Sequence, residues 1–167
     1  MEECTNKTGR YLLMELPWGQ IPSHVDQIIF ELQLEGRVPI IAHPERSMIV
    51  KRNWSDVENL VQKGALMQIN AGSLLGFFGR KIKAITEDLL KRKLVHFLAS
   101  DAHDLLFSPI QILPQAFACA SKIIGKKKAE VLVFSNPHQV IQGEKLTSVK
   151  MPLCFESQPE EETYSLS

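Results

Sequence analysis

The sequence predicts an α/β fold in which parallel strands are joined by helices that pack outside them. Short strand-like apolar runs alternate with amphipathic helical stretches through the middle of the chain. Polar residues stand at the ends of four such runs, at Glu15, His43, Asn70 and Asp101. The intervals between them are 28, 27 and 31 residues, close to the roughly 30 residues of one βα unit of a barrel. An open doubly wound sheet has similar spacing, but polar residues at successive strand ends favour a barrel, whose ring-shaped mouth would gather them.

The elements are predicted in order along the chain from apolar periodicity and from helix-ending glycines. The first helix carries Val25, Ile28, Ile29 and Leu32 on one face, and Gly36 ends it. The predicted strands are residues 11–16, Val38–Ala42, Leu66–Asn70 and 95–99. The predicted helices are residues 23–35, a stretch capped by Ser55 and closed by Gly64, residues 74–93, Leu113–Ile124, residues 126–134 and a short helix from Asn136.

Composition places the chain among ordinary globular proteins. The 167 residues are 44% hydrophobic and 23% charged, which fits one domain with a sizeable core. Residues 1–146 are expected to form that domain. From Cys154 onward the chain has four Glu and no Lys or Arg, and we expect residues 147–167 to be a disordered acidic tail.

Charge and cysteine usage exclude several classes of function and compartment. The formal net charge is +0, so nothing points to a nucleic-acid partner. No apolar run approaches the roughly 18 residues of a spanning helix, and membrane insertion is not expected. Cys4, Cys119 and Cys154 are far apart and form no CxxC pair, and the acidic N-terminus lacks a secretory segment. A cytoplasmic protein with reduced thiols is therefore predicted.

A metal site is the favoured interpretation of four strand-end side chains. Glu15, His43, Asp101 and His103 are residue types that suit a divalent metal of borderline hardness. Each has a plainer explanation: a strand-end ion pair for Glu15, a satisfied core histidine for His43, and a helix N-cap for Asp101 with His103 incidental. Together, at matched strand ends, the four are expected to converge on one pocket.

Arg46 is the candidate anion-binding residue. It lies three residues after His43, and a guanidinium beside a metal suits a phosphate through bidentate contacts. The alternative is an ion pair with Glu45. Residues 70–73 are interpreted mainly as a helix cap, and Phe77 and Phe78 mainly as packing residues, although both segments could border the site. His96 is expected to be structural.

Several of these strings together are similar to the PHP (polymerase and histidinol phosphatase) superfamily. They are residues 13–17, 42–46, 68–73 with the following Leu-Leu-Gly, 99–103, Asn136-Pro137 and 140–144. More closely, the chain resembles the metal-dependent protein-tyrosine phosphatases of bacterial capsule and exopolysaccharide loci. The resemblance covers about residues 10 to 145.

The resemblance implies a fold, a cofactor and an activity. The family fold is a distorted (β/α)7 barrel with a cluster of divalent cations, commonly Mn²⁺, at its C-terminal mouth. Carried over by residue, Glu15, His43, Asp101 and His103 would be metal ligands, and Arg46 would be the catalytic phosphate-binding residue. The implied substrate is phosphotyrosine, chiefly on the tyrosine kinase that regulates polysaccharide synthesis, hydrolysed without a cysteinyl-phosphate intermediate.

Two departures from the family pattern leave alternatives open. Family members open with an Asp-x-His-x-His strand and a further acidic ligand, and they carry an arginine shortly after the residue that corresponds to His103. This chain has neither, so we expect a partial barrel, an incomplete metal cluster and a possible role for a complementing N-terminal segment. The alternatives are a truncated non-catalytic remnant, half of a split enzyme, or a PHP phosphatase for a small metabolite such as histidinol phosphate. The strings around Glu15 and Ser73 favour phosphotyrosine over the metabolite.

Overall fold

A single sheet of five strands organises the protein. The computed structural model describes residues 9–17, 22, 24–47, 54–102 and 110–147, and the backbone of residues 3–4. The sheet order follows the sequence, and β2 to β5 are parallel, whereas β1 pairs antiparallel with β2. The strands are β1 (Glu3–Cys4), β2 (Tyr11–Glu15), β3 (Val38–Ala42), β4 (Leu66–Asn70) and β5 (Phe97–Ala99).

Helices connect the parallel strands and continue after the last one. They are α1 (Val25–Leu34), α2 (Trp54–Gln62), α3 (Ala71–Leu75), α4 (Arg80–Lys91), α5 (Leu113–Ile124), α6 (Lys126–Glu130) and α7 (Asn136–Gln142), with 3-10 turns at Pro44–Arg46 and Ile110–Ile112. In the described ranges, no helix is both long and apolar enough to span a bilayer. The predicted α/β class and the four parallel strands are confirmed. Across the described strands the sheet runs from β1 to β5 without closing.

The helix predicted over residues 74–93 is wrong as one element. The structure has two helices there, separated at Gly76 and Gly79, both with φ of +91°. Glycine adopts this left-handed conformation without the Cβ penalty of other residues, so the chain turns between α3 and α4. Two other predictions were off by a few residues: β5 begins at Phe97, and α2 begins at Trp54, one residue before the expected cap Ser55.

The predicted helices 126–134 and 136 onward form one continuous run. A π-helical turn, Val131–Ser135, joins α6 to α7. Pro137 lies in the first turn of α7 and has no N–H for an α-helical ladder, and the wider turn before it accommodates that loss. Here Asn136 is buried, and its Nδ2 donates to the carbonyl oxygen of His96 at 2.8 Å.

Pro39 lies inside the central strand β3 without breaking the sheet. In a parallel ladder, alternate residues direct their hydrogen-bonding groups to opposite neighbours. The Val38 N–H donates to the Arg10 carbonyl at 2.7 Å, toward β2, so the position of the Pro39 nitrogen faces β4. The ladder between β3 and β4 begins only at Ile40, so no ladder hydrogen bond is lost at Pro39.

The two faces of the sheet contribute to separate apolar clusters. One face, with Ile41, Met67, Ile69 and Leu98, packs against the connecting helices and forms the larger core. The opposite face carries Tyr11, Val38, Ile40, Leu66 and Phe97, which pack with Val140 of α7 and with Leu146. The second cluster fills the amino-terminal end of that face and leaves its carboxyl end for polar residues.

In the described part of the chain, five helices (α1, α2, α3, α4 and α7) end in the same hydrogen-bond pattern, and α4 is the one that lacks the usual glycine. After α1 and α2 the left-handed residues are Gly36 and Gly64, as predicted. After α4 the equivalent residue is Lys93, with φ of +61°, and the N–H groups of Lys93 and Leu94 donate to the carbonyls of Leu90 and Leu89. This is a Schellman ending in which an exposed lysine occupies the position that favours glycine.

Replacing Lys93 with glycine should stabilise the protein. Lys93→Gly removes a left-handed strain of about 1 kcal/mol, whereas Lys93→Ala keeps the strain and should give no gain. Gly36→Ala, at a position with no atom within 4 Å of the new Cβ, should lower the free energy of unfolding by a similar amount. Urea denaturation of the three variants measures these values. A gain for Lys93→Ala equal to that for Lys93→Gly would contradict the backbone explanation.

His96 is a buried structural histidine, as predicted. Its Nδ1 accepts the Met67 N–H at 3.0 Å, which requires an unprotonated nitrogen. Burial lowers the pKa of His96 from 6.5 to about 4. The folded protein therefore binds fewer protons than the unfolded chain between these two pH values, and acid favours unfolding across that window.

The stability contributed by neutral His96 should be complete above pH 6.5 and be lost as the pH falls toward 4. The loss amounts to up to about 3 kcal/mol. His96→Asn offers Met67 an oxygen acceptor that does not titrate, so its unfolding free energy should change less over this range. Denaturation curves of both proteins from pH 4 to 7 measure the difference. Equal pH slopes would mean that His96 does not carry the effect.

Candidate functional site

The carboxyl ends of four parallel strands place the candidate residues at one edge of the sheet. Glu15 is the last residue of β2 and lies opposite Ala42, the last residue of β3, which His43 directly follows. Asn70 is the last residue of β4 and lies opposite Ala99, the last residue of β5, and Asp101 is two residues beyond Ala99. In parallel α/β folds this edge is where loops gather functional groups. The structure therefore brings the predicted strand-end residues to the same side of the molecule.

Glu15 and His43 form a pair. His43 Nε2 lies 3.1 Å from Glu15 Oε1, and the side chains are 11% and 67% exposed respectively. Because Glu15 is mostly exposed, water can solvate its carboxylate, and the contact with His43 is not required to offset burial. A carboxylate oxygen and an imidazole nitrogen at this distance are two donors of the kinds that divalent transition metals accept.

Backbone strain is concentrated at two of the candidate ligands. Among the described non-glycine residues, only His43, Lys93 and Asp101 have positive φ, with values of 34°, 61° and 54°. His43 is held there by its N–H, which donates to the Gln68 carbonyl at 2.7 Å, and by its carbonyl, which accepts from Arg46 at 3.0 Å. Such conformations are uncommon and tend to occur at functional sites.

Asp101 faces Asn70 and Arg46. The Asn70 Nδ2 donates to Asp101 Oδ2 at 3.0 Å, and Arg46 Nη1 lies 3.9 Å from the same oxygen. The Arg46 guanidinium carbon lies 4.5 Å from the centre of the Phe78 ring. A planar cation stacked on an aromatic face and facing a carboxylate has restricted orientation. Arg46 thus lies at the carboxyl end of the sheet in a defined direction.

Phe78 borders the site through its contact with Arg46, and Phe77 is exposed, contrary to the preference for core packing. Close approach of both rings depends on Gly72, where an added Cβ would lie 3.1 Å from Phe78 Cε2 and 3.4 Å from Phe77 Cδ2. Phe77 is 56% exposed. The interpretation of Asn70 as a helix cap is confirmed, since its Oδ1 accepts the Gly72 N–H at 2.7 Å.

Glu45 is a buried acid that sequence reasoning treated only as a partner for Arg46. Its side chain is fully buried and its Oε1 accepts the Asn70 N–H at 2.8 Å. Burial raises the pKa of Glu45, and the Asn70 N–H and the nearby Ser73 hydroxyl oppose that rise. The available signal was its place in a short turn directly after a fully buried strand.

The described residues do not complete a metal site. Among them, no three His, Cys, Asp or Glu side chains lie close enough together to hold a metal ion. Strand β4 separates the ends of β3 and β5, so Glu15 and His43 form one group, and Asp101 joins Arg46 and Asn70 in another. His103 lies outside the described residues. The donor types fit a divalent metal, and two of the four predicted ligands are in contact.

A cavity lies away from these residues. A space of about 680 Å³ is lined by residues that include Lys93, Val95 and His96 at the amino end of β5. Asp101 follows the carboxyl end of that strand. The cavity therefore contains none of the predicted site residues.

Comparison with known proteins assigns the family. The family model for capsular polysaccharide synthesis proteins, CpsB/CapC, matches residues 1–142. The chain belongs to this family. This family assignment agrees with the resemblance to capsule-locus proteins that the residues around Glu15, His43 and Asp101 indicate.

Named relatives and a solved structure agree with the assignment. The chain is 36% identical over 148 residues to the tyrosine-protein phosphatase YwqE of Bacillus subtilis, covering 82% of this chain and 58% of YwqE. It is 32% identical over 145 residues to the tyrosine-protein phosphatase CpsB of Streptococcus pneumoniae, covering 84% of this chain and 59% of CpsB. It spans less than two thirds of the length of each relative.

The structural match is to crystal structures of YwqE from Bacillus subtilis and CpsB from Streptococcus pneumoniae, described as unique metal-dependent tyrosine phosphatases. The TM-score is 0.76 at 35% sequence identity, over 82% of this chain and 55% of the matched chain. The fold of the described residues is therefore that of a large part of such a phosphatase.

Proposed function

We propose that this chain is a cytoplasmic, metal-dependent phosphoesterase of the tyrosine-phosphatase type. The observation that supports this most directly is that the Glu15–His43 pair and the Arg46 guanidinium, oriented by Asp101 and Phe78, meet at the same edge of the sheet, at the carboxyl ends of parallel strands. The names of the relatives support phosphotyrosine in a protein as the substrate. Within the capsule family, a tyrosine kinase that regulates polysaccharide synthesis is the proposed substrate protein.

We further propose that residues 1–146 form part of a PHP-type (β/α)7 barrel. The acidic tail predicted for residues 147–167 lies, from residue 148 onward, outside the described residues. Strand order supports the barrel. In β2 to β5 each strand pairs with the next one in the sequence, whereas a doubly wound sheet reverses order at a switch point. The connecting helices then lie on one face, as they do outside a barrel.

The proposed metal ligands are Glu15, His43, Asp101 and His103, and the proposed metal is Mn²⁺. When bound, a divalent cluster lowers the pKa of coordinated water and neutralises charge on the phosphoryl group. Glu15 and His43 already lie together. The remaining ligands would come from Asp101, from His103 and from a complementing N-terminal segment with an Asp-x-His-x-His strand.

Arg46 is the proposed catalytic residue for binding the phosphate. Its guanidinium can offer two parallel N–H donors to phosphate oxygens, and stacking on Phe78 limits the directions in which they point. Phe77, which is exposed and precedes Phe78 in the chain, provides an apolar surface for the aryl ring of phosphotyrosine. A small polar metabolite such as histidinol phosphate has no aryl phosphate to use that surface.

The activity test is hydrolysis of a phosphotyrosine peptide in the presence of Mn²⁺. We expect weak turnover by the chain alone and a marked increase when a segment carrying the Asp-x-His-x-His strand is added. Arg46→Lys should reduce kcat/KM by about 10² to 10³, since it removes the planar pair of donors aimed at developing phosphate charge. No turnover in either mixture, with folding intact, would indicate the non-catalytic remnant. Preference for histidinol phosphate would overturn the assigned substrate.

Binding of Mn²⁺ can be measured without turnover. Replacing His43 with alanine removes one of two donors already in contact, so affinity should fall by about tenfold or more. The matched control is His138→Ala, an exposed histidine on α7 that stacks on Phe134 with ring centres 6.1 Å apart. Electron paramagnetic resonance of free Mn²⁺ during titration gives both affinities. Equal losses in the two variants, or none in His43→Ala, would contradict the proposed ligand.

A further inference from the structure

We propose that Glu45 is a positioning residue that sets the directions of Asp101 and Arg46 through Asn70. The inference rests on the proposed function in one respect, namely that Asp101 and Arg46 serve the reaction. The contacts between the residues are seen in the structure and do not depend on that function. They form a closed circuit that crosses the ends of β3, β4 and β5.

The first contact joins the turn after β3 to the end of β4. Glu45 is fully buried, and its Oε1 accepts the backbone N–H of Asn70 at 2.8 Å. Burying a carboxyl group is unfavourable unless the group is hydrogen-bonded. An apolar side chain would fill this buried position without that requirement. The contact therefore fixes the backbone of Asn70 relative to the Pro44–Arg46 turn.

The second contact passes from the backbone of Asn70 to its side chain. The Asn70 Oδ1 accepts the Gly72 N–H at 2.7 Å as the cap of α3. With the oxygen held there, the planar amide directs its NH₂ group the opposite way, and Nδ2 donates to Asp101 Oδ2 at 3.0 Å. Both ends of the Asn70 amide are used, so its orientation is determined.

The third contact returns to the residue beside Glu45. Asp101 Oδ2 lies 3.9 Å from Arg46 Nη1, and Arg46 follows Glu45 in the same 3-10 turn. Two adjacent residues of one turn thus hold opposite ends of the circuit. Glu45 does so through a buried hydrogen bond, and Arg46 through an ion pair in which both side chains are 23% exposed. Loss of Glu45 would release Asn70, and with it the direction of the Asp101 carboxylate and its ion pair with Arg46.

Glutamine should replace Glu45 in this role. Its side-chain oxygen can accept the Asn70 N–H as Oε1 does. In the described part of the chain, neither Glu45 Oε2 nor the buried Ser73 Oγ has a hydrogen-bond partner within bonding geometry. The NH₂ group of a glutamine would offer Ser73 a donor, so Glu45→Gln keeps the circuit whereas Glu45→Ala opens it.

The test uses the full 167-residue chain without metal and follows backbone amides and the Asn70 and Arg46 side chains by ¹⁵N NMR. In Glu45→Ala, we expect about tenfold faster exchange of the Asn70 amide proton, the size of effect that one lost buried hydrogen bond gives. The Asn70 NH₂, Asp101 amide and Arg46 Nε signals should shift as well. Glu45→Gln should retain the native signals.

The matched control is Tyr11→Phe, which removes a buried hydrogen bond from Tyr11 to the Glu144 carbonyl at the opposite end of the sheet. It should leave all four signals unchanged. If Glu45→Ala does not fold, Asp101→Ala approaches the circuit from its exposed end and should shift the Asn70 NH₂ and Arg46 Nε signals. The proposal is overturned if either variant changes only its own neighbours along the chain.

Kinetics separate this proposal from the proposed function. With phosphotyrosine peptide and Mn²⁺, Glu45→Ala should lower kcat by about tenfold or more, Glu45→Gln should restore most of it, and Tyr11→Phe should leave it unchanged. Coupled NMR shifts without turnover in the unaltered chain would support the circuit and contradict the activity. Full activity in a folded Glu45→Ala variant would contradict the positioning role.

Discussion

The parallel alignment of β2 to β5 is the constraint on which the rest of this structure depends. Because all four strands run the same way and pair in sequence order, their carboxyl ends meet at one edge. Residues far apart in the chain, such as Glu15 and His43, then come within 3.1 Å. Apolar side chains fill the other end of the same face, so the polar residues gather at the carboxyl end.

Strained backbone turns and buried hydrogen bonds orient the site residues that the parallel strands bring to this edge. His43 and Asp101 take left-handed conformations one and two residues after their strands end, which turns the chain sharply at the sheet edge in both places. Neighbouring elements hold these turns: Gln68 of β4 binds the His43 N–H, and Asn70 binds the Asp101 carboxylate. Strand β4 therefore acts as the common support for both groups of site residues, although it contributes no predicted metal ligand.

Much of the fold was predictable because buried positions recur along the sequence as a periodic pattern of apolar residues. A continuous apolar run located β3, and amphipathic spacing located α1. The break between α3 and α4 was missed because apolar periodicity continues across it, and two glycines with positive φ decide otherwise. Residue type at the strand ends indicated which side chains the fold brings to this edge, and their role as metal ligands stays a prediction. The burial of Glu45 was not predictable, since its carboxylate accepts a hydrogen bond from Asn70, 25 residues away in the chain.

We propose that Glu15 and His43 bind a divalent metal beside a phosphate held by Arg46. A crystal structure of this chain grown with Mn²⁺ and inorganic phosphate tests it most directly, because manganese is identified by its anomalous scattering. We expect a manganese peak within about 2.0–2.3 Å of His43 Nε2 and a Glu15 oxygen, and phosphate oxygens that accept hydrogen bonds from the Arg46 guanidinium. Manganese bound only at other carboxylates, with the contact between Glu15 and His43 unchanged, would contradict it.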